Sequence, residues 1–298
     1  MFAAIDIGTN SVRLLIAQRI NGKIVPVHRD VKSTRLGEGL EATGKISIEA
    51  MSRTLEALIV FMETIQGFDV KQVKAVATSA MREASNAAEF LRLVRQKIQL
   101  NIDIISTDEE AKLSYLGASS GLNMLDDSIV ADIGGGSTEI VFKEGSEIVY
   151  TSSPVGAVRC TENSTTPTQI FANLEEHLNK IKNSKGYKLI VVGSTATNLV
   201  AINKKLTSYD PELIHGSEIG IEELGKTIFY IGSKSLAQRL AIPGLQPERA
   251  DIIIAGLLIL WVIMTYTNID KAIVSEADIL QGIIQEYEIR DQKSDTLP

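Results

Sequence analysis

Cysteine is nearly missing: Cys160 stands alone among 298 residues, so no internal disulfide can staple the chain, and a reducing compartment, the cytoplasm, is expected. Histidine is almost as scarce. His28, His177 and His215 are too widely spaced to make a zinc motif. Residues 1–20 lack the basic start, long apolar stretch and small-residue cleavage site of a secretory signal. The longest apolar run, Ile252 to Met264, holds thirteen residues, short of the roughly 20 that cross a bilayer; it reads as a buried helix, and no membrane partner is expected. Positive charge is in deficit, with 30 Lys and Arg against 37 Asp and Glu for a net charge of −7. That balance argues against nucleic acid, whose binding needs a basic face to displace counterions. A polyanionic substrate remains compatible with it if local arginines and a divalent cation do the work. What is abundant is ordinary: 44% apolar and 22% charged residues suit packed cores, and the length suits two domains.

The chain repeats itself. Asp6, Gly8 and Ser11 recur as Asp132, Gly134 and Ser137, each set preceded and followed by an apolar run, which reads as strand, tight loop, strand. Val76-Ala77-Thr78-Ser79-Ala80 recurs as Val192-Gly193-Ser194-Thr195-Ala196 in the same order. Two similar loop pairs in order indicate a duplicated unit. A glycine-rich bend between strands turns backbone N–H groups into a concavity that binds phosphate oxygens, and an Asp at the strand end can hold a cation. The small side chains and hydroxyls of Gly8, Thr9, Asn10 and Ser11 suit phosphate contact, against the plain alternative of a hairpin connection. Gly134, Gly135 and Gly136 together cost backbone entropy and make sense where the chain must approach a ligand closely; Ser137 and Thr138 add donors.

Periodicity gives a coarse outline. Strands are expected at 2–7, 12–20 and 23–31, with Asn21-Gly22 as a hairpin turn, then a helix from Ser47 to Ile65. A strand at 73–78, helix at 86–98, strand at 102–105 and helix at 108–120 follow, the alternation of strand-helix-strand units. The second half repeats the plan: strands at 128–133, 138–143 and 147–152, a helix at 168–183, a strand at 188–193 and a helix from 195. Residues 211–216 read as a loop, 221–230 and 248–266 as helices, 271–275 as a strand and 277–288 as a final helix.

An ordered set of segments, Asp6–Ala17, Thr34–Ser47, Ala77–Asn86, Ile104–Gly117, Asp132–Val141, Gly156–Glu162, Val192–Ile202, Ile214–Gly216 and Pro243–Asp251, resembles the exopolyphosphatase and guanosine pentaphosphate phosphohydrolase (Ppx/GppA) family of the actin, Hsp70 and sugar-kinase superfold. The resemblance implies an α/β chain of two ribonuclease-H-like domains with an interdomain cleft, placed at 1–122 and 123–298, with packing of the final helix back on the first domain as the alternative for that segment. It implies an enzyme that hydrolyses the terminal phosphate of inorganic polyphosphate with magnesium or another divalent cation, with guanosine pentaphosphate hydrolysis or non-catalytic sensing as alternatives, and a homodimer.

In that frame Glu110 is the expected general base. Its competing reading is a capping box, in which Thr107 caps a helix and Glu110 reaches back to it. Arg82, expected to begin a helix, is implied as a phosphate ligand, since a guanidinium grips two oxygens at once, against a solvent-facing reading. Arg35 and Arg159 are weaker candidates, because loop arginines often stitch loops together. Asp132 and Glu139 are the expected cation ligands, carboxylates being what a hard cation takes alongside phosphate and water. The chain departs from the family pattern at Thr107, Ser194, Leu280 and Gln281. It also stops where longer relatives add a helical region, so the short two-domain form and stepwise release of polymer are expected.

Overall fold

The structure is a computed structural model that describes residues 1–21, 23–124, 128–145, 147–181 and 186–294. The chain divides into two compact units, one of Met1–Gly117 with Ile279–Pro298, the other of Ala118–Asp278.

In the first unit β1 (Phe2–Ile7), β2 (Ser11–Ile20), β3 (Lys23–Ser33), β4 (Gln72–Ala77) and β5 (Ile102–Ile104) form one sheet in the order β3-β2-β1-β4-β5. The first three strands are an antiparallel meander, and β4 and β5 join parallel to β1. Ile20 pairs with Lys23, the register of a two-residue hairpin; Asn21 has φ +52°, and Gly22 of the expected turn lies outside the described residues. The helix Ile48–Gln66 is capped by Ser47, whose side chain accepts from Ala50 N. It buries Met51, Leu58, Phe61 and Ile65, the face set by their three- and four-residue spacing, in a core shared with Ile5, Ile7, Phe90 and Val94. On the other face Ala4, Leu15 and Val76 pack with Leu113 and with Ile279, Leu280, Ile283 and Ile284, residues of the helices Thr107–Gly121 and Ile279–Ser294. Leu280 and Gln281, two of the four departures from the family pattern, are buried, and neither carries a charge for an ion pair.

In the second unit β6 (Ser128–Ile133), β7 (Thr138–Glu144), β8 (Glu147–Ser153), β9 (Lys188–Val192), β10 (Glu218–Gly220) and β11 (Lys271–Val274) are ordered β10-β11-β9-β6-β7-β8. Read from β8, this is the order of the first sheet with one antiparallel strand added at the far edge. The repeat is carried into the pairing itself. Asp6 lies opposite Val76, and Asp132 opposite Val192, so both duplicated segments occupy equivalent sheet positions. The apolar run forms the helix Ile253–Thr267, whose Ile253, Leu257, Leu260 and Ile263 are buried in this unit's core. Among the described residues no helix is long and apolar enough to cross a membrane.

Three expectations are corrected. Residues 211–216 are not all loop, because Pro211–Ile214 forms a turn of helix capped by Asp210. Residues 248–266 are not one helix: Pro247–Arg249 is a separate 3-10 turn, and the long helix begins only at Ile253. Arg82 does not begin the helix that follows the strand 73–78; that helix is the five-residue Ser79–Glu83, with Arg82 in its last turn, ahead of Ala87–Ile98.

Candidate active site

In a parallel sheet the carboxyl ends of the strands gather loops at one edge. In the first unit β1 leads there into the loop 8–11, β4 into the helix Ser79–Glu83, and β5 toward the helix Thr107–Gly121. The first loop is closed by Gly8 N donating to Ser11 O at 3.0 Å. Its remaining carbonyls are held by the segment after β3: Gly37 N donates to Thr9 O at 2.9 Å, while Thr34 N and Arg35 N both donate to Asn10 O. A side chain at 37 could not be added without moving Thr9, since its Cβ would lie 2.4 Å from Thr9 Cγ2. Thr9 and Asn10 are buried and Gly8 and Ser11 partly exposed. Arg35 sits in the left-handed region at φ +48°, uncommon for a residue with a side chain. At the end of β1, Asp6 is joined to Arg13, directly opposite on β2, by Nε at 2.9 Å and Nη2 at 2.6 Å.

Arg82 and Glu110, 28 positions apart, meet: Arg82 Nη1 donates to Glu110 Oε2 at 2.6 Å and to the Ile105 carbonyl at 3.1 Å. Both are largely shielded, with side chains 20% and 10% exposed. The solvent-facing reading of Arg82 is therefore set aside. So is the Thr107 capping box. The helix is capped one residue earlier by Ser106, whose Oγ accepts from Glu109 N at 3.2 Å and whose carbonyl accepts from Glu110 N. Thr107 is the first helical residue, and the Glu110 carboxylate is turned to a guanidinium.

The second unit builds the same loop from different partners. Gly134 N donates to Ser137 O, again at 3.0 Å. Here the loop carbonyls are held by the short helix Ala157–Glu162, which the periodicity did not announce. Ala157 N donates to Gly134 O, Val158 N and Arg159 N to Gly135 O, and Arg159 Nε to Gly136 O at 2.9 Å. Arg159 thus stitches the loop, and burial draws its guanidinium below the usual arginine range. With these carbonyls drawn to the helix, the loop's N–H groups can face the other way, as an anion nest requires. Gly156 must lack a side chain, because a Cβ would lie 2.3 Å from Gly135 O. Ser137 is buried at the loop's end, while Thr138 Oγ1 is engaged by the Val155 carbonyl inside the unit. Neighbouring Cys160 is buried, and burial pushes its thiol up, which leaves it protonated and unreactive.

Asp132 and Glu139 are directly opposed on β6 and β7, which puts their Cβ atoms about 5 Å apart on one face. Glu139 is 1% exposed. Two carboxylates at opposed positions repel, and a divalent cation between them removes the repulsion. An all-oxygen pair suits a hard cation such as magnesium, which keeps several waters and takes few carboxylates. Among the described residues no cluster of three or more His, Cys, Asp or Glu could hold a metal. Gly193, at φ +93°, closes the same corner: a Cβ there would lie 3.0 Å from Ile133 O and 3.4 Å from Asp132 Oδ1.

One signal in the sequence went unused. Extending the duplication two residues beyond Ser11 sets Arg13 against Glu139, the substitution that turns an ion pair into a carboxylate pair. Ser106, three residues before Glu109, offered the same capping pattern as Thr107, whereas the contacts of residues 157–159 carried none.

Comparison with known proteins agrees with this arrangement. The sequence profile of the Ppx/GppA phosphatase family matches residues 15–290. Exopolyphosphatase 2 of Mycobacterium tuberculosis is 33% identical over 94% of this chain and 96% of its own. The crystal structure of the Aquifex aeolicus Ppx/GppA family member superposes with a TM-score of 0.80 at 31% identity, covering 97% of this chain and 98% of that one. An exopolyphosphatase structure from Cytophaga hutchinsonii shares the fold, with a TM-score of 0.88 at 23% identity and 98% coverage of both chains. The duplicated sheets, the paired glycine loops and these similarities lead to one conclusion: the chain belongs to the Ppx/GppA phosphatase family, and is a phosphohydrolase with the actin-like fold.

Proposed function

We propose that this protein is an exopolyphosphatase that removes the terminal phosphate of inorganic polyphosphate by direct attack of water. The observation that carries the reading is the opposed pair Asp132 and Glu139 beside a tight glycine loop closed by Gly134 N donating to Ser137 O. Such a pair serves a divalent cation that meets phosphate oxygens. The name of the M. tuberculosis relative supports polyphosphate as the substrate.

The residues divide the work as follows. The loops closed by Gly8 and Gly134, whose own N–H groups are spent on Ser11 O and Ser137 O, offer the backbone N–H groups of Thr9–Ser11 and Gly135–Ser137 to substrate oxygens. Arg82 offers a guanidinium to a phosphate, and the same guanidinium holds Glu110 in place beforehand. Glu110 takes a proton from water as the water oxygen bonds to phosphorus. The bridging P–O bond then breaks, giving orthophosphate and a chain one unit shorter. Asp132 and Glu139 would hold magnesium, whose charge stabilises the developing negative charge on the phosphoryl oxygens. General base catalysis of this kind contributes about 10²–10⁴ in rate. A cytoplasmic homodimer with neither nucleic-acid nor membrane partners completes the reading, resting on family resemblance, cysteine usage and net charge.

The test is phosphate release from polyphosphate, guanosine pentaphosphate and ATP, measured side by side with magnesium. Fastest turnover of polyphosphate is expected. Preference for guanosine pentaphosphate would transfer the assignment to that substrate, and no turnover of any would reduce the protein to a binder.

A further inference from the structure

Glu139 has a partner on its other side. Ser152, directly opposite it on β8, donates from Oγ to Glu139 Oε1 at 2.8 Å. Three adjacent strands therefore present Asp132, Glu139 and Ser152 in a single cross-strand row.

The first unit provides an internal control for this row. Its equivalent is Asp6, Arg13 and Val31 on β1, β2 and β3. There the central side chain is held by the ion pair with Asp6, and the third position is an exposed valine with no hydrogen-bonding group. In the second unit the central arginine is replaced by glutamate, which cannot form that ion pair with Asp132, and the third position has become a hydroxyl. The two differences belong together. A carboxylate that has lost its guanidinium can be fixed in its rotamer by another donor, and Ser152 supplies one.

We propose that Ser152 is a positioning residue of the divalent-cation site, orienting the Glu139 carboxylate so that the cation finds its ligand preformed. The inference rests on the assignment of Asp132 and Glu139 as cation ligands. Hydrogen bonds behind the ligands commonly change metal affinity about 10- to 100-fold, because an untethered carboxylate must be ordered at the moment of binding. The neighbouring hydroxyl Thr151 alternates to the opposite face of β8, so it cannot substitute.

Manganese binding to the full-length protein without substrate, followed by the electron paramagnetic resonance of unbound Mn²⁺, tests this apart from turnover. Ser152→Ala, Ser152→Thr and Glu139→Ala are compared with the parent, and melting in chelator records whether each variant folds. The expected result is Mn²⁺ affinity about 10- to 100-fold weaker in Ser152→Ala, restored in Ser152→Thr, which keeps a hydroxyl on a strand. Phosphate release by Ser152→Ala should then recover at high magnesium, a shift in metal requirement with kcat retained. If Glu139→Ala loses Mn²⁺ while Ser152→Ala binds within twofold of the parent, the positioning role is wrong and the cation site stands. If Glu139→Ala also binds normally, the cation assignment itself is wrong and the role of Ser152 goes with it. A fall in melting temperature in Ser152→Ala with unchanged Mn²⁺ affinity would make the bond purely structural, and would likewise overturn the proposal.

Discussion

The two units use the same backbone to opposite electrostatic ends. Each has an Asp at the end of the strand before its glycine loop, a Gly-to-Ser hydrogen bond of 3.0 Å closing that loop, and a second segment holding the loop's carbonyls. In the first unit Asp6 faces Arg13 and is neutralised within the fold. In the second, Asp132 faces Glu139. One side chain at an equivalent sheet position changes a structural ion pair into a candidate cation site, while backbone geometry is preserved. Duplication supplies the same loop twice; divergence at one register position decides which copy presents the carboxylate pair proposed to hold a cation.

The largest expected effect is on the base. Glu110→Gln keeps the shape and can still accept from Arg82, but cannot take a proton, so phosphate release should fall at least about a hundredfold, well beyond what a melting point lowered by several degrees through the neutralised ion pair accounts for. Activity within about tenfold of the parent would move the base elsewhere. Next comes the contrast between Asp6–Arg13 and Asp132–Glu139. Arg13→Gln breaks a shielded ion pair and should cost on the order of 3 kcal/mol, seen as a melting point lowered by several degrees, with the magnesium titration unmoved. Glu139→Gln should do the reverse, raising the magnesium needed for half activity by tenfold or so, with melting preserved because repulsion from Asp132 is relieved. Equal behaviour of the two variants would break the comparison.

The segments that hold the loops differ in how much they can yield. A Cβ at 156 meets the backbone of Gly135 and Gly136, whereas one at 37 meets the end of the Thr9 side chain. Gly156→Ala should therefore reduce turnover by up to about a hundredfold through displacement of the loop, and Gly37→Ala by only a few fold; steady-state kinetics on both would settle the ranking. The smallest effect concerns acid. Burial lowers the His177 pKa from its ordinary 6.5, with Lys180 adding to the effect and Glu176 opposing it. The unfolded chain then binds a proton that the folded unit resists, so stability is lost as pH falls below about 6.5 and levels off beneath the folded pKa. His177→Gln should flatten that part of the curve of melting temperature against pH; an unchanged slope would exclude His177 as its source.

Much of the fold was legible because its signals are local. The hairpin strands, the Ser47 cap and the face of the helix Ile48–Gln66 follow from alternation, capping chemistry and helical spacing, each set by neighbours within a few residues. The helix Ala157–Glu162 was missed for the complementary reason: six residues are too few to establish a period. Its role is to donate N–H groups to a loop more than 20 residues earlier. Ser106 was passed over in favour of Thr107 because both are good caps, and only the path of the backbone chooses between adjacent hydroxyls.

The sequence by itself determined the duplication, the positions of both glycine loops, the family and the residue types available for phosphate and cation. Those depend on composition, order and short-range pattern, which a linear chain displays. Tertiary structure alone decided which groups meet. The Arg82–Glu110 contact spans 28 positions, and the choice of Arg13 or Glu139 as partner to an Asp matters only once β-strand register sets the two side chains face to face. The Ser152 tether depends on register too, since a slip of one residue would turn its hydroxyl to the other face of the sheet.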